Sequence, residues 1–87
     1  MEKHFYFIGL DIAKETFVAS IYHTPDRPVL TKENFSNNPQ GYKELIVWLQ
    51  DNQINTTNCH ICLEATGVYS DGVAYYLSAQ GYRVTVE

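Results

Sequence analysis

The sequence predicts an α/β domain: a mixed five-stranded sheet with two helices, in the element order β-β-β-α-β-α-β. Three observations predict it. Residues 4–36 hold three strand-like runs separated by turn residues. At Asn38-Pro39 the hydrophobic period changes from that of a strand to that of a helix. Beyond it, strand-like runs alternate with helical ones, the pattern of strands joined by crossover helices.

The first strand covers residues 4–11 and is apolar without clean alternation, as expected where both faces of a sheet are covered. Ala13-Lys14-Glu15 is polar enough for a tight turn, and Thr16 to Tyr22 is its hairpin partner. Two prolines and an Asp punctuate a turn over 23–28. Residues 29–36 form a third strand, more polar and so suited to an edge. Asn38 is placed to cap a helix over 39–52, with Pro39 at its first position. Tyr42, Leu45, Ile46 and Leu49 make one apolar stripe along it. Residues 58–64 are the fourth strand. Tyr69, Val73, Tyr76, Leu77 and Gln80 outline the second helix, and Gly81 suits the position after its end. Residues 82–87 begin a fifth strand.

This is the element order of the ribonuclease H-like fold. The 87 residues make at most one small domain, and about 60–65% of the unfolded surface of so short a chain is buried on folding. With 45% hydrophobic and 14% aromatic residues the chain is globular rather than disordered. A net charge of −4 gives no support for a self-sufficient nucleic-acid binder. No signal peptide and no run long enough to span a membrane is evident, so a cytoplasmic location is expected. The chain offers no final helix to complete the cover of the sheet, so it reads as a fragment, with an exposed apolar patch and self-association as consequences.

The chemistry concentrates in two acids. Asp11 ends the first strand and Glu64 the fourth, each before a change of direction. If these strands lie side by side in parallel, the carboxylates approach closely. Two such charges about 5 Å apart repel by about 3 kcal/mol at an effective dielectric of 20. A shared proton, a basic partner or a bridging divalent cation would offset that, and carboxylates with water suit Mg²⁺ or Mn²⁺. Gly9 shares the face of Asp11 and leaves room for a hydrated ion or a substrate backbone. Thr66 could cap the following helix. A bland reading exists for each acid alone, as a solvated strand end. His60, Cys62 and Glu64 also share a face, but a soft thiolate suits zinc rather than magnesium. Cys59 and Cys62 fall on opposite faces of one strand, so they neither bridge nor share a metal.

The stretches GLDIAKETF, NNPQGYKELIVWL and LEATGVYSDGVAYYLSAQGYRV resemble the N-terminal part of the RuvC-like DEDD transposases of the insertion-sequence one-ten family, which includes the Piv-type DNA invertases. The resemblance covers about residues 5–86. The EATG-x-Y block, at its distance from GLDIAK, is the specific part. It implies a RuvC-like domain, residues 1–87 being its N-terminal part, truncated before its last helix. Four acids bind Mg²⁺ in that family; Asp11 matches the first and Glu64 the second. The resemblance further implies DNA as partner, strand cleavage and joining as chemistry, and in some members a guide RNA from their own element. The family's nucleophilic serine lies in another domain, so Ser20, Ser36, Ser70 and Ser78 carry no such role. With two acids of four, the isolated chain is expected to bind metal weakly and not to turn over. Lys14 and Tyr69, with Gly9 and Thr66, are candidate nucleic-acid contacts.

Three rivals stand beside this reading. Holliday-junction resolvases and ribonuclease H share the geometry of the two acids. Actin-like sugar kinases and ATPases share the Ile-Gly-Leu-Asp-Ile start, but their hairpin needs glycines where Ala13-Lys14-Glu15 stands here. A non-catalytic nucleic-acid or protein-binding module could stack bases on tyrosines. Tyr42, Tyr69 and Tyr76 fall on core stripes, however, and the lysines do not cluster.

Overall fold

A computed structural model of the chain describes residues 5–24, 27–64 and 67–86. The elements are β1 (Tyr6–Ile12), β2 (Thr16–Thr24), β3 (Arg27–Ser36), α1 (Pro39–Asp51), β4 (Cys59–Leu63), a 3-10 turn (Gly67–Ser70), α2 (Asp71–Ala79) and β5 (Val84–Val86). They form one sheet in the order β3-β2-β1-β4-β5. β1 pairs with β2 and β2 with β3 antiparallel; β1 pairs with β4 and β4 with β5 in parallel. The predicted α/β class, element order and edge position of β3 all hold.

Local chemistry accounts for the element ends. The Asn38 side chain accepts from the Gly41 N–H at 3.0 Å, satisfying a donor that the helix leaves unpaired, and Pro39 follows it. The α2 helix stops at Gly81, whose φ of +95° a residue with a side chain rarely adopts. Strand β3 is irregular: its pairing with β2 shifts between Phe17 and Ala19, and Asn34 takes a φ of 67°. The second helix is shorter than its apolar stripe suggests, because its first turn is the tighter 3-10 form.

The core lies on one side of the sheet. Ile8, Leu10 and Ile12 of β1, Phe17, Ala19 and Ile21 of β2, and Cys59, Ile61 and Leu63 of β4 are buried there. They pack under Tyr42, Leu45 and Leu49 of α1 and Val73 and Leu77 of α2. The expectation of a sheet covered on both faces is therefore corrected. In β1, buried Ile8, Leu10 and Ile12 alternate with exposed or half-buried Phe7, Gly9 and Asp11. The alternation is hidden in the sequence because two aromatic rings, Phe5 and Phe7, stand on the open side. They pack edge to face at 5.5 Å, each 42% exposed. No helix among the described residues is long and apolar enough to cross a membrane.

Burial leaves a mark on the chemistry of the core. The Cys59 thiol is pushed up from its ordinary 9 to about 11, and burial also raises the Tyr42 and Tyr82 phenols, Tyr82 further through Cys59. A raised folded pKa means the neutral form is favoured in the native state. The stability it confers is whole below pH 9 and is lost as pH rises through about 11. Urea midpoints are thus expected to hold steady from pH 7 to 9 and to fall between pH 9 and 11, with a shallower fall in Cys59→Ala. A midpoint independent of pH over that range would contradict this.

Candidate metal centre

The site sits at one end of the central strand pair, on the open face. In the parallel pairing of β1 with β4, Gly9 stands beside Cys62 and Leu10 beside Leu63. The ladder runs one bond further, the Glu64 N–H donating to the Leu10 carbonyl at 3.3 Å. The next position brings Glu64 alongside Asp11, and paired strands lie about 4.8 Å apart. Leu10 and Leu63 point into the core, so by alternation both acids point away from it.

The two carboxylates line a shared cleft of about 380 Å³, with Gly9, Ser20, Val18 and Cys62. Gly9 lines the cleft without a side chain; a Cβ there would meet Tyr22 Cε1 at 3.4 Å, an ordinary van der Waals contact. Ser20 and Thr31 hydroxyls hydrogen-bond at 3.1 Å on the adjoining strands. On β4 and β5, His60 Nε2 bonds Thr85 Oγ1 at 2.6 Å.

Asp11 and Glu64 are both exposed at their strand ends. That matters for energetics. Water screens their mutual repulsion, so the pair does not require a basic partner, and both carboxylates remain accessible to an ion. Two adjacent carboxylates on an open face are an all-oxygen donor pair, which fits a hard divalent cation. Among the described residues no group of three or more His, Cys, Asp and Glu is arranged to hold a metal, so His60, Cys62 and Glu64 do not form one. Cys59 is buried on the core side, where its thiol donates to the Asn55 carbonyl at 3.2 Å, and Cys62 lines the cleft on the other.

The remaining candidates divide. Lys14 is exposed in the turn that follows β1. Tyr69 is 43% exposed, which corrects its placement on a core stripe; Tyr42 is buried and Tyr76 partly so. The 3-10 turn rotates Tyr69 out of the helical stripe that Val73 and Leu77 follow. Thr66 lies outside the described residues. A residue the sequence does not advertise is Asn37. Its Nδ2 donates to the carbonyls of Ala13 at 3.0 Å, Lys14 at 3.3 Å and Tyr69 at 2.9 Å. Nothing in the local sequence signals this, because each of those partners lies more than twenty positions away.

Comparison with known proteins bears on what such a cleft belongs to. The family model of the insertion-sequence one-ten DEDD transposases, described as a transposase, matches residues 8–87. The chain belongs to this transposase family. Both acids fall within the matched region. The pilin gene-inverting proteins of Moraxella bovis and Moraxella lacunata are each 39% identical to this chain over 83 residues. Those matches cover 92% of the chain and 24% of each relative, so the chain spans about a quarter of their length. Among the rivals, the Holliday-junction resolvase or ribonuclease H and the actin-like sugar kinase or ATPase are displaced by this membership.

Proposed function

We propose that this chain supplies part of the metal centre of a DNA transposase, as part of its RuvC-like catalytic domain. Asp11 and Glu64 hold Mg²⁺ or Mn²⁺ on the open face. The observation that carries this reading is that Asp11 and Glu64 directly follow Leu10 and Leu63, the last paired residues of two adjacent parallel strands, and line one cleft with Gly9. The chemistry supplied by such a cation is stabilisation of charge on the attacking and leaving oxygens of strand transfer. The chain's own residues orient it: the carboxylates fix its place, and Gly9 admits a DNA backbone beside it.

DNA is the substrate this reading requires, and the gene-inverting role in the names of the Moraxella relatives supports it. With a net charge of −4, affinity for DNA rests on the cation and on positive charge from elsewhere in the assembly. Gly9, Lys14 and Tyr69 are the contact positions on the described surface, and Thr66 stands with them on sequence grounds alone. A guide RNA from the element and a homo-oligomer belong to the same proposal; the exposed Phe5–Phe7 pair favours self-association. The cytoplasm is the compartment that fits this chemistry.

An amide NMR titration with Mn²⁺ tests the centre. Selective broadening at Gly9, Asp11 and Glu64 is expected, and its loss in Asp11→Ala. Broadening that is absent, uniform, or unchanged in the mutant would refute the assignment.

A further inference from the structure

Asn37 bonds to both of the segments that follow the two acids. Its Nδ2 carries two protons and meets three carbonyls: Ala13 and Lys14 in the turn after β1, and Tyr69 in the 3-10 turn after β4. Its Oδ1 accepts from the Tyr42 hydroxyl at 2.7 Å. Its backbone N–H donates to the Glu15 carbonyl at 2.9 Å. The reverse orientation of the amide would set an oxygen against three carbonyls, so this orientation is the one the surroundings enforce.

We propose that Asn37 is the positioning residue of the cation site. The inference rests on the reading of Asp11 and Glu64 as cation ligands. Three successive carbonyls of the β1–β2 turn, at positions 13, 14 and 15, are all engaged by this one residue. Within the turn itself the bond from the Ala13 N–H to the Thr16 carbonyl, at 2.9 Å, closes the chain. The ladder between the acid-bearing strands ends on a long bond, 3.3 Å from Glu64 to Leu10. Beyond that bond, Asn37 ties the turn after β1 to the 3-10 turn that holds Tyr69. It is itself anchored in the core: Tyr42 is buried and packs against the Phe17 and Tyr76 rings at 6.2 and 5.3 Å. The path therefore runs from the core through Tyr42 to Asn37, and from Asn37 to the turn after Asp11 and to the 3-10 turn at Tyr69. Removing the amide leaves both carboxylates on their paired strands but loosens the turns beyond them, and a divalent cation is held less well by ligands that must be ordered on binding.

The experiment compares Mn²⁺ affinity, read from amide broadening at Gly9 and Asp11, with the urea midpoint. Three variants of the 87-residue chain are used: Asn37→Ala, Asn37→Ser and Leu49→Ala. Leu49 is fully buried on α1 and does not line the cleft, so its truncation lowers stability without reaching the site. Asn37→Ala is expected to weaken Mn²⁺ binding about tenfold or more, whereas Leu49→Ala leaves the affinity within twofold at a comparable or greater loss of stability. Asn37→Ser retains a short donor and is the variant to read if Asn37→Ala does not fold. Equal affinity in wild type and the Asn37 variants would overturn the positioning role while leaving the cation site standing. Equal weakening in Leu49→Ala would overturn it as well, since general loosening would then suffice. If wild type shows no broadening that Asp11→Ala abolishes, the cation site itself fails, and the positioning role falls with it.

Discussion

Gly41→Ala is expected to cost at least about 3 kcal/mol, the upper end of what overpacking does. A Cβ on Gly41 would lie 1.8 Å from the Ser36 carbonyl oxygen and 2.6 Å from its carbon. Those are backbone atoms at the end of β3, so no side chain can rotate aside. The first turn of α1 would have to retreat from the sheet by more than 1 Å. That retreat pulls on the Asn38 cap and on the bond from the Tyr42 hydroxyl to Asn37, both made from the same turn. A domain of this length has only roughly 4–13 kcal/mol of stability in total. A loss of about 3 kcal/mol lowers the thermal midpoint of so small a domain by roughly 12–24 °C. Differential scanning calorimetry of the two proteins measures it. A fall under about 4 °C would show that α1 can shift cheaply, and would remove close approach as the reason for glycine here.

Phe17→Ala is expected to cost about 3–5 kcal/mol, as deletion of a fully buried ring does. Phe17 is 1% exposed and stacks on Phe35 with centroids 5.0 Å apart and planes 14° from parallel. The Tyr42 ring also packs against it, with centroids 6.2 Å apart. In the β1–β2 register Phe17 faces Ile12, the neighbour of the pair formed by Asp11 and Val18. The ring thus fills the core directly beneath the acid-bearing end of β1. Its loss leaves a cavity that the rigid sheet cannot close, so both the unfolding midpoint and the definition of the site should suffer. Chemical denaturation gives the first. Amide shifts of Asp11 and Glu64 report the second, and shifts confined to β2 and β3 would show that the site is supported independently of this ring.

Much of the fold was legible because its signals are local. Asn38-Pro39 marks the start of α1 through a cap and a ring that suit the first helical turn. Gly81 marks the end of α2 through a positive φ. The polar composition of β3 suits an edge, and an edge is where it lies. The opening strand misled for an equally physical reason. Hydrophobic periodicity reports which faces are apolar, not which are covered, and Phe5 and Phe7 are apolar residues left uncovered among the described residues. Tyr69 misled because a 3-10 turn has a different angular step from an α-helix.

The site divides in the same way. That Asp11 and Glu64 follow strand-like runs, that Gly9 shares a face with Asp11, and that Cys59 and Cys62 cannot cooperate all follow from alternation along single strands. These are properties of bonded neighbours, and the sequence by itself determined them. The parallel pairing of β1 with β4, the exposure of both carboxylates and the convergence of Asn37 on Ala13, Lys14 and Tyr69 were decided only by the tertiary structure. They depend on which distant segments the core brings together. A hydrogen bond across more than twenty residues leaves no periodicity in the chain; it arises when burial of Tyr42 and Phe17 sets the helix, the turn and the strand ends at bonding distance.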